Sequence, residues 1–217
     1  MNDDWAASWA ADKLQSDSDV TAAEIVSAGV LRIDRKEYGP FIAAILGEKQ
    51  SVSNVDIESF AGSEVKINFF ANIPRDAIWT GGAINAARAW PAGHGGFADL
   101  GRAIRNEPDV TRYRNKELAF FEDGFVQHTA VRSVERVYDR KFRLERFGKP
   151  DFVVVLIDAY DMSAEDIRSA YSRYGHFDGA LKMSSYGSVT SQAKDAAALF
   201  GAGAYKWGEL LGRLNRA

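Results

Sequence analysis

The chain has 217 residues, 46% hydrophobic and 26% charged, a composition that can bury a sizeable core. It contains no cysteine, which excludes disulfides and thiolate metal sites. A formal net charge of −3 excludes a globally basic nucleic-acid binder but leaves room for a local basic face.

The chain opens on Met1-Asn-Asp-Asp4, which lacks the basic and apolar regions of a signal peptide. No apolar run approaches the roughly 18 residues of a membrane span, so a soluble cytoplasmic protein is expected. Trp5 to Leu14 has helical spacing, with Trp5 and Trp9 on one face. Those tryptophans pack on the body of the domain or form a docking face for a partner or a second copy. A polar stretch follows. Thr21, with Glu24 three residues on, then predicts a capped helix over Ala22–Ala28 that ends at Gly29. Residues 1–35 are therefore expected to be a helical segment, and 36–217 one α/β domain.

Phe41–Leu46 and Val65–Ala71 have the composition of strands, the second broken after Asn72 by Pro74. Ala77 to Trp90 has helical spacing, weakened by Gly81-Gly82. Pro91–Gly96 is expected as a loop, and Phe97–Arg105 and Lys116–Glu122 as helices, with a turn at Asp123-Gly124. His128–Tyr138 places Val131, Val134 and Tyr138 on a helix face, and strict alternation fails at Val137-Tyr138, so a helix is predicted. Phe142–Phe147 alternates as a strand and turns at Gly148 into Asp151-Phe-Val-Val-Val-Leu-Ile-Asp158, the longest apolar run.

Ser163-Ala-Glu-Asp166 is a capping box that starts a helix over Ala164–Tyr174. Beyond it come a short strand (Gly179–Met183), a helix (Ser191–Phe200), a strand (Ala204–Trp207) and a helix (Glu209–Leu214). The order from residue 151 is β-α-β-α-β-α, which predicts an α/β fold. Its sheet is mixed, parallel in its last part, with helices on both faces. No internal repeat or low-complexity tract stands out.

Three stretches carry candidate chemistry. Asp158 and Asp161 fall at a strand's carboxyl end, where open α/β sheets place ligands. The stretch Arg132, Arg136, Arg140, Lys141, Arg143, Arg146 and Lys149 outweighs Glu135, Asp139 and Glu145. On a helix, Arg132, Arg136 and Arg140 would line one face suited to the phosphates of DNA or RNA, or else pair with Glu135 and Asp139. The loop Gly93-His-Gly-Gly96 precedes a helix whose N-terminus could draw an anion, or is only a tight turn. His94 there, with Asn72, Arg75 and Trp79 after another strand, could line a crevice for a nucleotide or other small anion. No zinc-spaced histidine pair and no G-x-S-x-G elbow occurs.

The last third, Gly179-Ala-Leu-Lys-Met-Ser-Ser-Tyr-Gly187 followed by Thr190-Ser-Gln-Ala193, Ala197, Ala204–Trp207 and Glu209–Leu214, resembles the carboxyl half of Mrr-type restriction endonucleases. The resemblance covers roughly residues 150–214 and implies a restriction-endonuclease-like fold that handles nucleic acid. It also implies an acid followed on a neighbouring strand by (Asp/Glu)-x-Lys, the carboxylates holding Mg²⁺ and the lysine helping to activate water. Pro150-Asp151 is similar to the family's Pro-Asp, and the second half falls on Asp158-Ala-Tyr160. Tyrosine there, with a phenol pKa of about 10, supplies no cation at neutral pH. Asp151 and Asp158 lie at opposite ends of one strand, on the order of 20 Å apart, and cannot share a metal. A site built on Asp158 and Asp161 would need a partner such as Glu117, Asp123 or Asp139. The resemblance therefore implies a nuclease site that is degenerate or altered.

Overall fold

The chain divides into two α/β units, Met1–Asn115 and Lys116–Ala217, each with its own sheet. The computed structural model describes residues 3–216, with backbone only at residues 3 and 4.

The first unit opens with α1 (Asp3–Gln15), as predicted. It then runs β1 (Val20–Ser27), β2 (Val30–Arg35) and β3 (Phe41–Ile45) as an antiparallel meander. The helix expected over 22–28 is thus strand β1. A capping box is worth about 1 kcal/mol, and β-branched Ile25 and Val26 with a full partner strand outweigh it. Gly29, expected to end a helix, has φ 70° and turns the hairpin instead. The segment 1–35 is therefore one helix and one hairpin.

After β4 (Ser51–Val52) and α2 (Asn54–Glu58), β5 (Phe69–Asn72) joins β3 in parallel. β6 (Ile78–Trp79) pairs with β4 in a separate two-stranded ribbon. α3 (Gly81–Ala89), β7 (Gly93–Gly96), α4 (Phe97–Asn106) and a 3₁₀ turn at Val110–Arg112 complete the unit. The glycine loop expected at 93–96 is thus strand β7, parallel to β5. A Cβ on Gly93 would lie 2.3 Å from the Val110 carbonyl oxygen and 2.6 Å from the Phe69 ring, so only glycine passes there. The sheet order is β1-β2-β3-β5-β7. On one face, Ala6, Ala7, Ala10 and Leu14 of α1 pack on Leu31, Ile33, Ala43 and Ile45. On the other, Ile57, Ile84 and Ala87 of α2 and α3 meet Ala44 and Phe70.

The second unit runs α5 (Lys116–Val126), β8 (Val131–Tyr138), β9 (Lys141–Arg146) and β10 (Lys149–Ile157). It continues with α6 (Ala164–Tyr174), β11 (Gly179–Lys182), α7 (Ser191–Leu199), β12 (Gly203–Tyr205) and α8 (Trp207–Leu214). From β10 onward the predicted order holds. Asp123-Gly124 lies inside α5 rather than in a turn. The helix predicted over 128–138 is strand β8. Two register shifts, between Val131 and Ser133 and between Arg136 and Tyr138, break its alternation and hide it in the sequence. The sheet order is β12-β11-β10-β9-β8, antiparallel through β8-β9-β10 and parallel through β10-β11-β12. Among the described residues, no helix is long and apolar enough to cross a membrane.

The two units repeat one plan, α-β-β-β-α-β-α-β-α, with the same strand directions. Both crossover helices after the meander start in a capping box, Ser53 with Asp56 and Ser163 with Asp166. The next helices start at Thr80, which accepts from the Ala83 N–H, and at Thr190, which accepts from Ala193. The β4–β6 ribbon has its counterpart in a single parallel bridge, Met162 with Val189. The plan closes on a buried arginine at the end of the second strand. Arg35 Nε donates to the Gly39 carbonyl at 2.9 Å, and its Nη atoms donate to the Glu107 and Pro108 carbonyls past α4. Arg146 Nε donates to the Pro150 carbonyl at 2.8 Å, and Nη1 to the Leu214 and Arg216 carbonyls at the end of α8. The chain therefore carries an internal duplication that its sequence conceals.

Arg146→Met should leave those carbonyls without a donor and cost about 2–4 kcal/mol, read as a lower urea midpoint. A change below about 0.5 kcal/mol would show that the tie is not structural.

Candidate functional site

The carboxyl ends of β10 and β11 hold the acids singled out in the sequence. Asp158 and Asp161 are both exposed. Asp161 Oδ1 accepts from the Ser188 N–H at 2.7 Å and from its hydroxyl at 2.8 Å. These bonds hold the Asp161 carboxyl below its ordinary pKa and tie the loop after β10 to the loop after β11. Buried Lys182, at the end of β11, points its ammonium into that second loop. Its Nζ donates to the Ser184 carbonyl at 2.6 Å and to that of Tyr186. Burial pushes its pKa down. Lys182 does not stand out in the sequence, because nothing in Gly179-Ala-Leu-Lys182 distinguishes a buried lysine from an exposed one. Glu117 and Asp123 are exposed on α5. Among the described residues, no three acidic or histidine side chains gather into a metal-holding group.

The basic stretch lies on two paired strands, so a helical stripe of Arg132, Arg136 and Arg140 does not form. Arg136 turns inward. It pairs with Glu122 at 3.2 Å, donates to the Asp139 carbonyl through Nε and Nη2, and lies 5.2 Å over the Phe142 ring. Lys141 is buried and donates to the Tyr174 carbonyl at the end of α6, where a cation meets the negative helix terminus. Arg132 and Arg143 remain outside, in exposed pairs with Glu145 and Glu135. Such pairs are worth about 0–1 kcal/mol, so both arginines can exchange partners with a phosphate at little cost.

Asp139 sits in the turn between β8 and β9. The Leu156 N–H donates to the neighbouring Arg140 carbonyl at 2.8 Å, so the turn lies beside the end of β10. Its Oδ1 is buried with no hydrogen-bond partner. Burial raises its pKa, against the pull of Arg140, Arg173 and Arg136 and a bond from the Arg140 N–H. Tyr174 nearby is pushed up to about 12 by burial and by Asp139.

In the first unit, Asn72 is wholly buried at the end of β5 and spends its amide on one residue. Nδ2 donates to the Lys49 carbonyl at 2.7 Å, and Oδ1 accepts from the Lys49 N–H at 3.3 Å. Asn72 thus holds a loop, at the same place in its unit as Lys182. His94, on β7, packs its ring 5.6 Å from that of Trp79. Arg75 is exposed in the loop after β5. Trp9 packs on Phe97 with rings 5.0 Å apart, while Trp5 is about half exposed at 52%. The two tryptophans therefore divide between core and surface.

A groove of about 570 Å³ opens in the second unit between α7, β12 and α8. Lys194, Tyr205, Arg213 and Arg216 line it together with Gly203, Gly208 and Gly212. Its one carboxylate, Glu209, accepts from the Lys206 N–H at 2.8 Å and so caps α8. This groove is not among the sites expected from the sequence. The available signal was a pair of glycines four residues apart in a short helix.

Comparison with protein families, with characterised proteins and with solved structures finds no match for this chain.

The folded state holds the Asp139 proton to higher pH than the unfolded chain. The stability this gives is present at low pH and lost as pH rises from the ordinary carboxylate range through the native pKa. Asp139→Asn should therefore raise stability at neutral pH and flatten its decline above about pH 4. Urea midpoints across that range check it, and an unchanged slope would mean that the carboxyl ionises freely in the fold.

Proposed function

We propose that this chain is a restriction-endonuclease-like module that binds nucleic acid and has lost metal-dependent cleavage. The order from β10 to α8 supports it, since it is the one the resemblance to Mrr-type enzymes implies. The loss of chemistry rests on one observation. Asp139 approaches the end of β10, and β10 offers it Val154-Val155-Leu156-Ile157. The resemblance to Mrr-type enzymes implies a second carboxylate and a lysine on a strand facing the first acid. Aliphatic side chains can neither hold Mg²⁺ nor activate water. Asp139 itself is buried and partnerless at one oxygen. In the first unit β3 is equally apolar, Phe41-Ile-Ala-Ala-Ile45.

Binding needs only phosphate contacts, and these survive the loss of a metal site. Arg132 and Arg143 are exposed in weak pairs, and the second unit's groove adds Lys194, Arg213 and Arg216. In a chain of net charge −3, such local patches favour a modest, salt-sensitive affinity.

Fluorescence anisotropy with short labelled single- and double-stranded DNA and RNA tests the proposal. Three neutralised phosphates predict a loss of about forty-fold between about 50 and 200 mM salt. The labelled strands should stay intact on long incubation with Mg²⁺ or Mn²⁺. Cleavage that Asp158→Ala or Asp139→Asn abolishes would restore the enzyme, and no binding at low salt would end the proposal.

A further inference from the structure

The two units differ at the groove between α7, β12 and α8. The final helices correspond residue by residue. Phe97-Ala-Asp-Leu-Gly-Arg102 opens α4, and Trp207-Gly-Glu-Leu-Leu-Gly212 opens α8. Asp99 and Glu209 both accept from the backbone N–H three residues earlier, which fixes the register. Gly208 therefore stands where the first unit has Ala98, and Gly212 where it has Arg102. Arg102 occupies its place with a pair to Asp99 at 2.8 Å. In the second unit that place is empty of side chain.

Packing does not call for either glycine. A Cβ built on Gly208 or Gly212 would meet nothing within 4 Å, and neither residue has a left-handed φ. Glycine is the weakest helix former after proline, so two in an eight-residue helix is an unfavourable choice without an internal reason. What they provide is bare backbone in the lining of the groove. Cations line it with them: exposed Lys194 from α7, exposed Arg216 beyond α8, and Arg213, whose guanidinium lies 5.6 Å over the Phe152 ring. Glu209 is already turned to its cap. Arg146 binds the carbonyls of Leu214 and Arg216, so the backbone of one lining residue, Arg216, is held in place. The size falls within the range of ligand-binding clefts.

We infer that this groove is a phosphate-binding site, in which the bare helix surface at Gly208 and Gly212 lets a phosphodiester approach the α8 backbone while Lys194, Arg213 and Arg216 neutralise it. The inference rests on the nucleic-acid proposal for the source of the phosphate, but its chemistry does not depend on that source. Arginine forks and a lysine point charge suit non-bridging phosphate oxygens. Tyr205 also lines the groove, and an aromatic side chain suits contact with a base or sugar.

The test is a double variant, Gly208→Leu with Gly212→Leu, which fills the space over the two glycines, leaves the charge unchanged and improves helix propensity. A second variant, Lys194→Glu with Arg216→Glu, reverses two exposed cations. Each is measured by anisotropy against a labelled single-stranded oligonucleotide, by calorimetry against pyrophosphate, and by thermal melting. The expected result is at least a ten-fold loss of oligonucleotide affinity in both variants, with the melting temperature of the leucine variant unchanged or raised. Unchanged affinity in both variants would overturn the site and leave nucleic-acid binding standing. Wild-type protein that binds pyrophosphate but no oligonucleotide, with pyrophosphate binding lost in both variants, would support the site and remove nucleic acid as its ligand. Binding of neither probe would overturn both.

Discussion

A guanidinium buried beneath the meander of each unit joins parts of the chain far apart in sequence. Arg35 and Arg146 each sit at the end of a second strand, with 8% and 5% of their surface exposed. Each binds a carbonyl four residues on and the carbonyls at the end of the last helix, 72 and 68 residues away. Those carbonyls end a helix and have no intrahelical donor. Left alone in the interior they would each cost a desolvation penalty, and so would the charge. Together they satisfy one another, and the first hairpin is bound to the final helix. An arginine suits this place because its fork presents several donors in fixed directions.

With that closure in place, the remaining devices of the fold recur in pairs. Capping boxes begin the first crossover helices, threonines begin the second, and carboxylates cap the last. Where the copies differ, the differences concern polar groups at strand ends and helix surfaces. Asn72 and Lys182, at matching strand ends, hold different loops by different chemistry: an amide reads Lys49's backbone in both directions after β3, and an ammonium donates to two carbonyls after β11. The second unit also keeps an acid with a partnerless oxygen, Asp139. A duplicated fold can lose polar chemistry in one place and gain it in another without disturbing the frame that both copies share.

The parts of this architecture that were legible in the sequence are those encoded locally. The capping box at Ser163, the long apolar run of β10 and the glycines after α6 and α7 each act over a few residues, and the elements they predict are present. Two strands were misread because the deciding term was a distant or distorted pairing. Thr21 and Glu24 favour a helix until β2 is brought beside them, and the bulges of β8 remove the alternation that identifies a strand. The basic stretch went with β8, since a spacing of four lines a face only on a helix. The environments of Asp139 and Lys182 were not legible, because burial is set by what packs around a residue and not by its neighbours in the chain. The duplication was hidden for a related reason. It is carried by caps, turns and one buried arginine per copy, while the core residues have changed size.

That change of size has its own consequence for folding. The second strands of the two units share one burial pattern along their length, and both end in a buried arginine. Strands so alike invite exchange between neighbouring copies while the chain is still assembling, a known failure of tandem domains. The cores prevent it by volume. Leu31 in β2 packs in one cluster with the alanines of α1. Phe142 holds the same position in β9 and meets Phe125, with ring centroids 5.6 Å apart. Placed in the first unit, Phe142 would overpack the alanine layer. Leu31 in the second would leave a void beside Phe125. Each mismatch penalises the wrong pairing by the cost of a poorly filled core, so the divergence of the two cores keeps each strand with its own sheet.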